Sequence, residues 1–283
     1  MRRFALFALV LGVVVAYGLL PESHETQVRA AGQNASACDD EDHGDWGGRA
    51  KVCEKRSQTL TLGGSRLAID TTNGGIEVIG ESRKDVAMEA RVKAWAGSES
   101  EAKDILRQVN IETGGNRIHD SGPRFHMGNK GYSVEYKLHV PQQLGVEAKS
   151  MNGGIELKHL EGEIRFSTTN GGVELSDLAG DVRGDTVNGG LSIALTGDRW
   201  KGAGLNASTT NGGVEMKIPE HYAAHLETGT VNGGIMVNFP VTVQGQIKNH
   251  LSTDLNGGGA TIHAETTNGG IEISRISGES ASL

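Results

Sequence analysis

The sequence is poor in several residue types that many functional sites require. Only 4% of its 283 residues are aromatic, five are prolines and two are cysteines. The net charge is −8, and it becomes −10 when Arg2 and Arg3 of the N-terminal segment are left out (−8 − 2). An acidic chain without a basic stripe argues against nucleic-acid binding and against charge-driven docking on an anionic membrane.

Glycine is the residue that the sequence has in excess, with 42 copies. The glycines do not fall at every third position, which excludes a collagen-like chain. Ile, Val and Leu recur at regular positions between them, which argues against disorder. Glycine-rich turns that separate short β-branched runs predict an all-β protein.

The N-terminal segment predicts export. Arg2 and Arg3 precede an apolar run of 17 residues, from Phe4 to Leu20. This pattern is typical of a signal peptide, and its length is also near the lower limit for a membrane-spanning helix. Residues 1–20 are therefore either a cleaved signal peptide or a single N-terminal membrane anchor. Both alternatives place the remainder in the periplasm or at the cell surface.

The segment 21–58 is predicted to be an acidic spacer. It contains the run Asp39-Asp40-Glu41-Asp42 and shows no hydrophobic period. Cys38 and Cys53 both lie in it. In an oxidising compartment an even pair of cysteines predicts a disulfide that closes a small loop.

The rest of the chain repeats an Asn-Gly-Gly motif. From Asn152 onward the motifs follow at intervals of 18, 18, 23, 21, 24 and 12 residues. Spacing near twenty residues is the mark of a repeat array. Asn-Gly suits positions of positive φ, so we interpret each motif as a structural turn. The turns begin at Asn73, Asn152, Asn170, Asn188, Asn211, Asn232, Asn256 and Asn268.

Alternating apolar and polar residues on both sides of each motif predict two short strands and two turns per repeat. A β-solenoid, with equivalent positions about 4.8 Å apart, and an antiparallel meander both satisfy this unit. We favour the solenoid, because stacking explains why Asn and Thr return at the same offsets. The predicted fold is all-β: a single-stack β-solenoid or β-helix-like repeat domain over residues 59–283. Residues 59–144 form its irregular first part and residues 145–283 its regular repeats.

The irregular part contains one predicted amphipathic helix. Ser98 and Glu101 match a capping box, and apolar residues follow at helical spacing. We expect a helix over 99–108 that covers an open end of the stack. The alternating stretch from Tyr132 to Val140, stopped by Pro141, predicts a longer strand.

The strand ending in Val140-Pro141 and the repeated Thr-Thr-Asn-Gly-Gly-Ile-Glu units resemble an uncharacterised bacterial family. The family is a domain of unknown function, described as adhesin-like and rich in β-strand repeats, and many relatives carry Asn-Gly-Asp instead. The resemblance covers residue 60 to the end. It implies an extracytoplasmic β-solenoid-like domain, linked in some relatives to cell-envelope stress, and it supplies no catalytic residues.

The sequence contains no motif for a catalytic nucleophile or a phosphate-binding loop. His221 and His225 lie four residues apart but have no evident third zinc ligand. Asp177, Asp181 and Asp185 surround a turn but do not match a calcium-binding repeat. We therefore predict no catalytic, cofactor-binding or metal-binding residues.

One surface feature stands out, a glutamate column at the second position after each Asn-Gly-Gly. It consists of Glu77, Glu156, Glu174, Glu215 and Glu272, interrupted by Ser192 and Met236. The column is either a binding surface for a cationic partner or a set of charges that prevents strand edges from aggregating. We favour the second interpretation, because this offset has neither aromatic residues nor arginine.

These observations predict a non-enzymatic exported module for cell-envelope interaction, adhesion or stress sensing. Its partner would be an envelope protein, a glycan or a cationic ligand. The alternative is a carbohydrate-active enzyme, a lyase or glycosidase, on a β-helix scaffold. Two carboxylates facing each other about 5–10 Å apart in a groove would favour that alternative.

Overall fold

The computed structural model describes residues 26–27, 38, 48–125, 128–241 and 248–276. The predicted signal or anchor at 1–20 and most of the predicted spacer lie outside the described residues. Among those that are described, no helix is long and apolar enough to cross a membrane.

The described chain is nearly all β, with one helix and a single sheet of 19 strands. The first part contains β1 (Thr26–Gln27), β2 (Ala50–Leu60), β3 (Arg66–Asn73), β4 (Ile76–Glu81), β5 (Val86–Ala96), α1 (Glu99–Gln108), β6 (Asn110–Gly114), β7 (Arg117–Ser121) and β8 (Gly131–Pro141). The repeats comprise β9 (Gly145–Asn152), β10 (Ile155–Asn170), β11 (Val173–Asn188), β12 (Leu191–Ala194), β13 (Gly204–Asn211), β14 (Val214–Ile218), β15 (Ala224–Asn232), β16 (Ile235–Val237), β17 (His250–Leu255), β18 (Thr261–Asn268) and β19 (Ile271–Arg275).

Successive repeats pair in parallel and in register. In β10 and β11, Ile155 is opposite Val173 and Asn170 is opposite Asn188. The residues after each turn continue this pairing in β12, β14 and β19, and the residues before it in β13 and β18. Apolar side chains from both halves of the repeats belong to one buried hydrophobic cluster. Parallel strands buried in this way explain the recurring Ile, Leu and Val positions.

The last two repeats are stacked out of sequence order. Strand β18 pairs with β13 on one side and with β15 on the other. Likewise, β19 lies between β14 and β16. The C-terminal repeat is therefore inserted between two earlier ones, and β17 pairs antiparallel with β15 at the far end.

Asn256 belongs to a different turn from the other seven asparagines. It has φ 46°, and Gly257, Gly258 and Gly259 also have positive φ. Its side-chain amide donates to the carbonyl oxygens of Glu220 and Tyr222, just before β15. This left-handed turn takes the chain from one side of β15 to the other, which explains why Asn256 does not stack with the other motifs.

The predicted helix is present as α1, and the Ser98 hydroxyl accepts a hydrogen bond from the Glu101 backbone amide. It packs against β2 and β5 and buries Ala102, Ile105 and Leu106. Strand β2 occupies the last part of the predicted spacer and pairs antiparallel with β5 along its whole length. The predicted strand ending at Pro141 is β8.

Cys38 and Cys53 form a disulfide, with their Cα atoms 5.9 Å apart. It ties the segment before β2 to the sheet. We expect thiol labelling of the exported protein, without reductant, to modify no cysteine. Quantitative labelling of two thiols would contradict the disulfide.

Candidate functional site

The asparagines of the repeat turns form a continuous ladder of side-chain hydrogen bonds. Each amide donates to the side-chain oxygen of its neighbour; for example, Asn170 donates to Asn152 over 2.8 Å and Asn188 to Asn170 over 2.9 Å. The order along the ladder is Asn73, Asn152, Asn170, Asn188, Asn211, Asn268, Asn232. Each amide between the two end members uses one donor and one acceptor in this way, which holds the turns in register.

A buried hydroxyl lies two residues before each ladder asparagine. Thr168 donates to Gly153 O and Thr186 to Gly171 O, both over 2.8 Å. The column comprises Thr71, Ser150, Thr168, Thr186, Thr209, Thr266 and Thr230, and all but Thr71 bond to the first glycine of a neighbouring turn. A carbonyl turned inward at a corner needs a partner, and these hydroxyls supply it.

Asp120 lies at the capped end of this hydroxyl column. The residue before it, His119, is paired with Asp70, so Asp120 lies beside Thr71. Within the described structure, neither Asp120 Oδ1 nor the buried Tyr136 hydroxyl has a hydrogen-bond partner. Burial raises the pKa of the Asp120 carboxyl, and a hydrogen bond with Thr71 offsets only part of this effect.

We expect Asp120→Asn to stabilise the fold at pH 7 by about 1–3 kcal/mol, because it removes a buried and poorly paired carboxylate. Because its pKa is raised in the folded state, the Asp120 carboxyl favours the neutral form there. Ionisation therefore lowers the free energy of unfolding once the pH rises above the unfolded-state pKa of about 3.9. The gain should therefore disappear at about pH 3.5 and below. Urea unfolding at both pH values measures it, and a variant less stable than the wild type at pH 7 would contradict the argument.

The first glycine of each motif is required by close approach and not by positive φ. A Cβ atom on Gly171 would lie 2.2 Å from Gly153 O, and one on Gly189 2.0 Å from Gly171 O. Among the stacked turns only Gly74 has positive φ, and none of the ladder asparagines has. The prediction of positive φ was therefore wrong for six of these seven turns, because stacked backbones, and not a tight hairpin, impose the glycine.

The second glycines form part of an open groove that runs along the stack. We call this groove, of about 1370 Å³, the glycine groove. It is lined by the second glycine, the next apolar residue and the glutamate column of seven repeats, and Arg91, Glu135 and Lys137 of β5 and β8 lie at one end. A Cβ atom on Gly172 would have its nearest contact at 3.4 Å, so these glycines leave space that other residues would fill.

The predicted glutamates form a single column in register along the groove. Glu156 is opposite Glu77 and Glu174, and Glu215 is opposite Ser192 and Glu272. Met236 takes the corresponding place in the last repeat of the stack. Glu89 and Glu135 also line one end of the groove, where Glu89 pairs with Lys55 and Glu135 pairs with Lys93 and Arg91.

Lysines that the sequence interpretation missed accompany this column. Lys137 Nζ lies 3.1 Å from Glu77 and Lys217 Nζ lies 2.9 Å from Glu215. Lys158 pairs with Glu156, and a hydrogen bond with this carboxylate raises the pKa of Lys158. The Glu-x-Lys spacing could have revealed two of these pairs, because alternate residues of a strand share a face.

Two other column members differ in their partners. Glu272 accepts a hydrogen bond from the Asn238 amide over 2.9 Å. Glu174 is the one predicted column member without an ion pair or hydrogen bond among the described residues; its charge contributes to the raised pKa values of Lys158 and Lys217. Lysines therefore pair with three of the five glutamates, and Arg91 and Lys137 line one end of the glycine groove itself.

The remaining candidates from the sequence are dispersed. Asp177 bonds to His159 and Thr196, and Asp181 bonds to Arg165 and Arg183. No group of three or more His, Cys, Asp or Glu within the described ranges has an arrangement that could hold a metal ion.

His225 belongs to a Ser-His-Asp arrangement on β15 and β17. Its Nδ1 lies 2.7 Å from Asp254 Oδ1, and its Nε2 lies 3.3 Å from Ser252 Oγ. The atom order is that of a nucleophile, a base and an orienting acid. All three side chains lie on the open face of an antiparallel pair, outside the glycine groove, and Asp254 is 66% exposed.

Neither a protein-family model nor a curated protein matches the sequence. Several solved structures are similar to the chain at low identity, and three of them illustrate the range. One is described as a "putative cell adhesion protein" from Clostridium sporogenes, with 14% identity, a TM-score of 0.45, and coverage of 79% of this chain and 100% of that one. A "putative adhesin" from Bacteroides fragilis has 11% identity and a TM-score of 0.40, and covers 79% and 97%. A "putative lipid binding protein" from Parabacteroides distasonis has 9% identity and a TM-score of 0.26, and covers 80% and 97%.

Proposed function

We propose that this chain is an exported, non-catalytic module of the cell envelope that binds an extended partner along the glycine groove. The observation that carries the proposal is the continuity of that groove across seven repeats. Seven parallel strands span six spacings of about 4.8 Å, or about 29 Å. An extended polymer of about nine peptide residues would cover this length.

We infer further that the repeats are the coils of a β-solenoid. The parallel in-register pairing, the asparagine ladder and the buried hydroxyl column support this arrangement. Each contact links one repeat only to its neighbours, as expected for a solenoid. The groove would then be rigid, so a partner would bind without the cost of ordering the site.

Export is supported by two features. The apolar segment after Arg2 and Arg3 is typical of a signal or anchor. The disulfide between Cys38 and Cys53 is of a type that persists in oxidising compartments and is rare in the cytosol.

The groove also changes the interpretation of the glutamate column. The preference for a role in solubility depended on the absence of other binding groups at that offset. With Arg91 and Lys137 in its lining, and with Lys158 and Lys217 paired to its glutamates, the groove can donate as well as accept hydrogen bonds. A polar polymer with both kinds of group would find partners along its length, and Glu174 is free to accept one.

Site-specific photo-cross-linking in intact cells tests this proposal. The full chain would carry a benzophenone amino acid in place of Ser192, in the groove, or in place of Ser208, which also faces outward and is half-buried but precedes a turn. We expect a discrete covalent adduct with an envelope component from position 192 and none from position 208. Equal adducts from both positions, or none from position 192, would contradict the proposal.

A further inference from the structure

The two ends of the stack differ in how they are covered. At the end near Asn73, α1, β2 and β5 cover the sheet, and Gly74 packs closely against Val134 of β8. At the other end, β17 covers β15, but the next strand, β16, is paired on one side only. Within the described chain, β19 is its single partner.

Two backbone amides at this open edge are available for pairing with another strand. In the adjacent repeat, the Gly269 amide donates to Asn232 O and the Ile271 amide donates to Gly234 O. The equivalent amides of the last repeat, Gly233 and Ile235, point away from β19, because parallel strands direct equivalent groups the same way. No described residue accepts a hydrogen bond from either amide.

The side chains at this edge lack the charges that usually protect an exposed strand. Residues 228–241 contain no Asp, Glu, Lys, Arg or His. Met236, which is 60% exposed, occupies the place that glutamate holds in five other repeats, and Val231, before the same turn, is 67% exposed. Natural proteins place charges or prolines on open edges to prevent strand pairing. The repeat at the open edge is therefore one of the two repeats without the glutamate, although a charge at an open edge would be the most effective against strand pairing.

We propose that the edge of β16 pairs antiparallel with the same edge of a second copy, which closes a two-fold dimer. An edge paired with itself satisfies the free amides of both copies and brings the two Met236 side chains together. A two-fold pairing uses this edge in both copies, so neither copy keeps the edge free for a third chain. Assembly therefore stops at two chains, and the uncharged edge does not lead to fibres.

Analytical ultracentrifugation of the full chain tests the dimer. Met236→Glu restores the glutamate of the other repeats and places like charges opposite each other, and we expect it to weaken dimerisation at least about tenfold. Ser192→Glu introduces the same charge at the same offset in mid-stack and should leave the dimer unchanged. A monomeric wild type at about 100 µM, or a Met236→Glu variant as dimeric as the wild type, would overturn the proposal.

Met236→Cys provides a second measurement that does not depend on weakening the interface. Mild oxidation should join two copies through position 236, whereas Ser192→Cys should remain uncross-linked. Equal cross-linking of both variants would place the contact elsewhere and overturn the proposal. Neither result depends on what binds in the glycine groove, so this proposal and the proposed function fail separately.

Discussion

Gly171→Ala should destabilise the fold by at least about 3 kcal/mol, at or above the upper end of the usual cost of overpacking. The added Cβ would lie 2.2 Å from Gly153 O, and the clashing atom belongs to a backbone held by ladders on both sides. Neither strand can move without loss of the asparagine and hydroxyl bonds at the same corner. Urea unfolding followed by circular dichroism measures the change.

Gly172→Ala is the matched control for this substitution. It makes the same chemical change one residue later, where the nearest contact of a Cβ atom is 3.4 Å away. We expect its unfolding free energy to stay within about 1 kcal/mol of the wild type. Equal destabilisation by the two alanines would mean that backbone freedom, and not stacking distance, requires glycine at this corner.

Arg56→Ala should also lower the free energy of unfolding strongly, by about 3 kcal/mol. It removes a side chain of β2 that caps the C-terminal end of α1. Arg56 is 6% exposed, and its guanidinium donates to Val109 O over 2.6 Å and to Leu106 O over 3.0 Å. Its third partner is Glu54, at 3.2 Å. Removing it leaves the carbonyls at the helix end without these donors and an acidic group without its cation.

Arg107→Ala provides the control within the same helix. Its side chain is 70% exposed and pairs with Asp104 one turn earlier. Such exposed pairs contribute little, so we expect a change below about 0.5 kcal/mol. Hydrogen exchange should show faster exchange of the α1 amides in Arg56→Ala only. Unchanged exchange in that variant would contradict the capping role.

Local patterns were sufficient to predict the elements that depend on neighbours in sequence. The capping box at Ser98 and Glu101 predicted α1 with its observed bounds, and the alternation before Pro141 predicted β8. The constant offsets of Asn and Thr predicted contacts between equivalent residues of successive repeats. The pairing of Asn170 with Asn188 and of Thr168 with Thr186 corresponds to that expectation.

Contacts between distant segments could not be predicted in the same way. Nothing in the motif at Asn268 distinguishes a repeat that adds to the end of the stack from one that inserts before Asn232. That order depends on the turn at Asn256, whose amide binds carbonyls more than thirty residues earlier. Arg56 and Val109 are likewise separated by 53 residues. The groove depends on register, because only stacking brings the second glycines and the glutamates of seven repeats into line.

The groove, the ladder and the open edge all depend on the order in which the repeats are stacked. Spin labels on cysteines at exposed positions 72, 231 and 267, taken in pairs, report it directly by pulsed electron paramagnetic resonance. Six strand spacings predict a backbone separation of about 29 Å between Thr72 and Val231, and five predict about 24 Å between Thr72 and Thr267. We therefore expect Thr267 to lie nearer to Thr72 than Val231 does. A longer distance from Thr72 to Thr267 than to Val231 would show stacking in sequence order and contradict it.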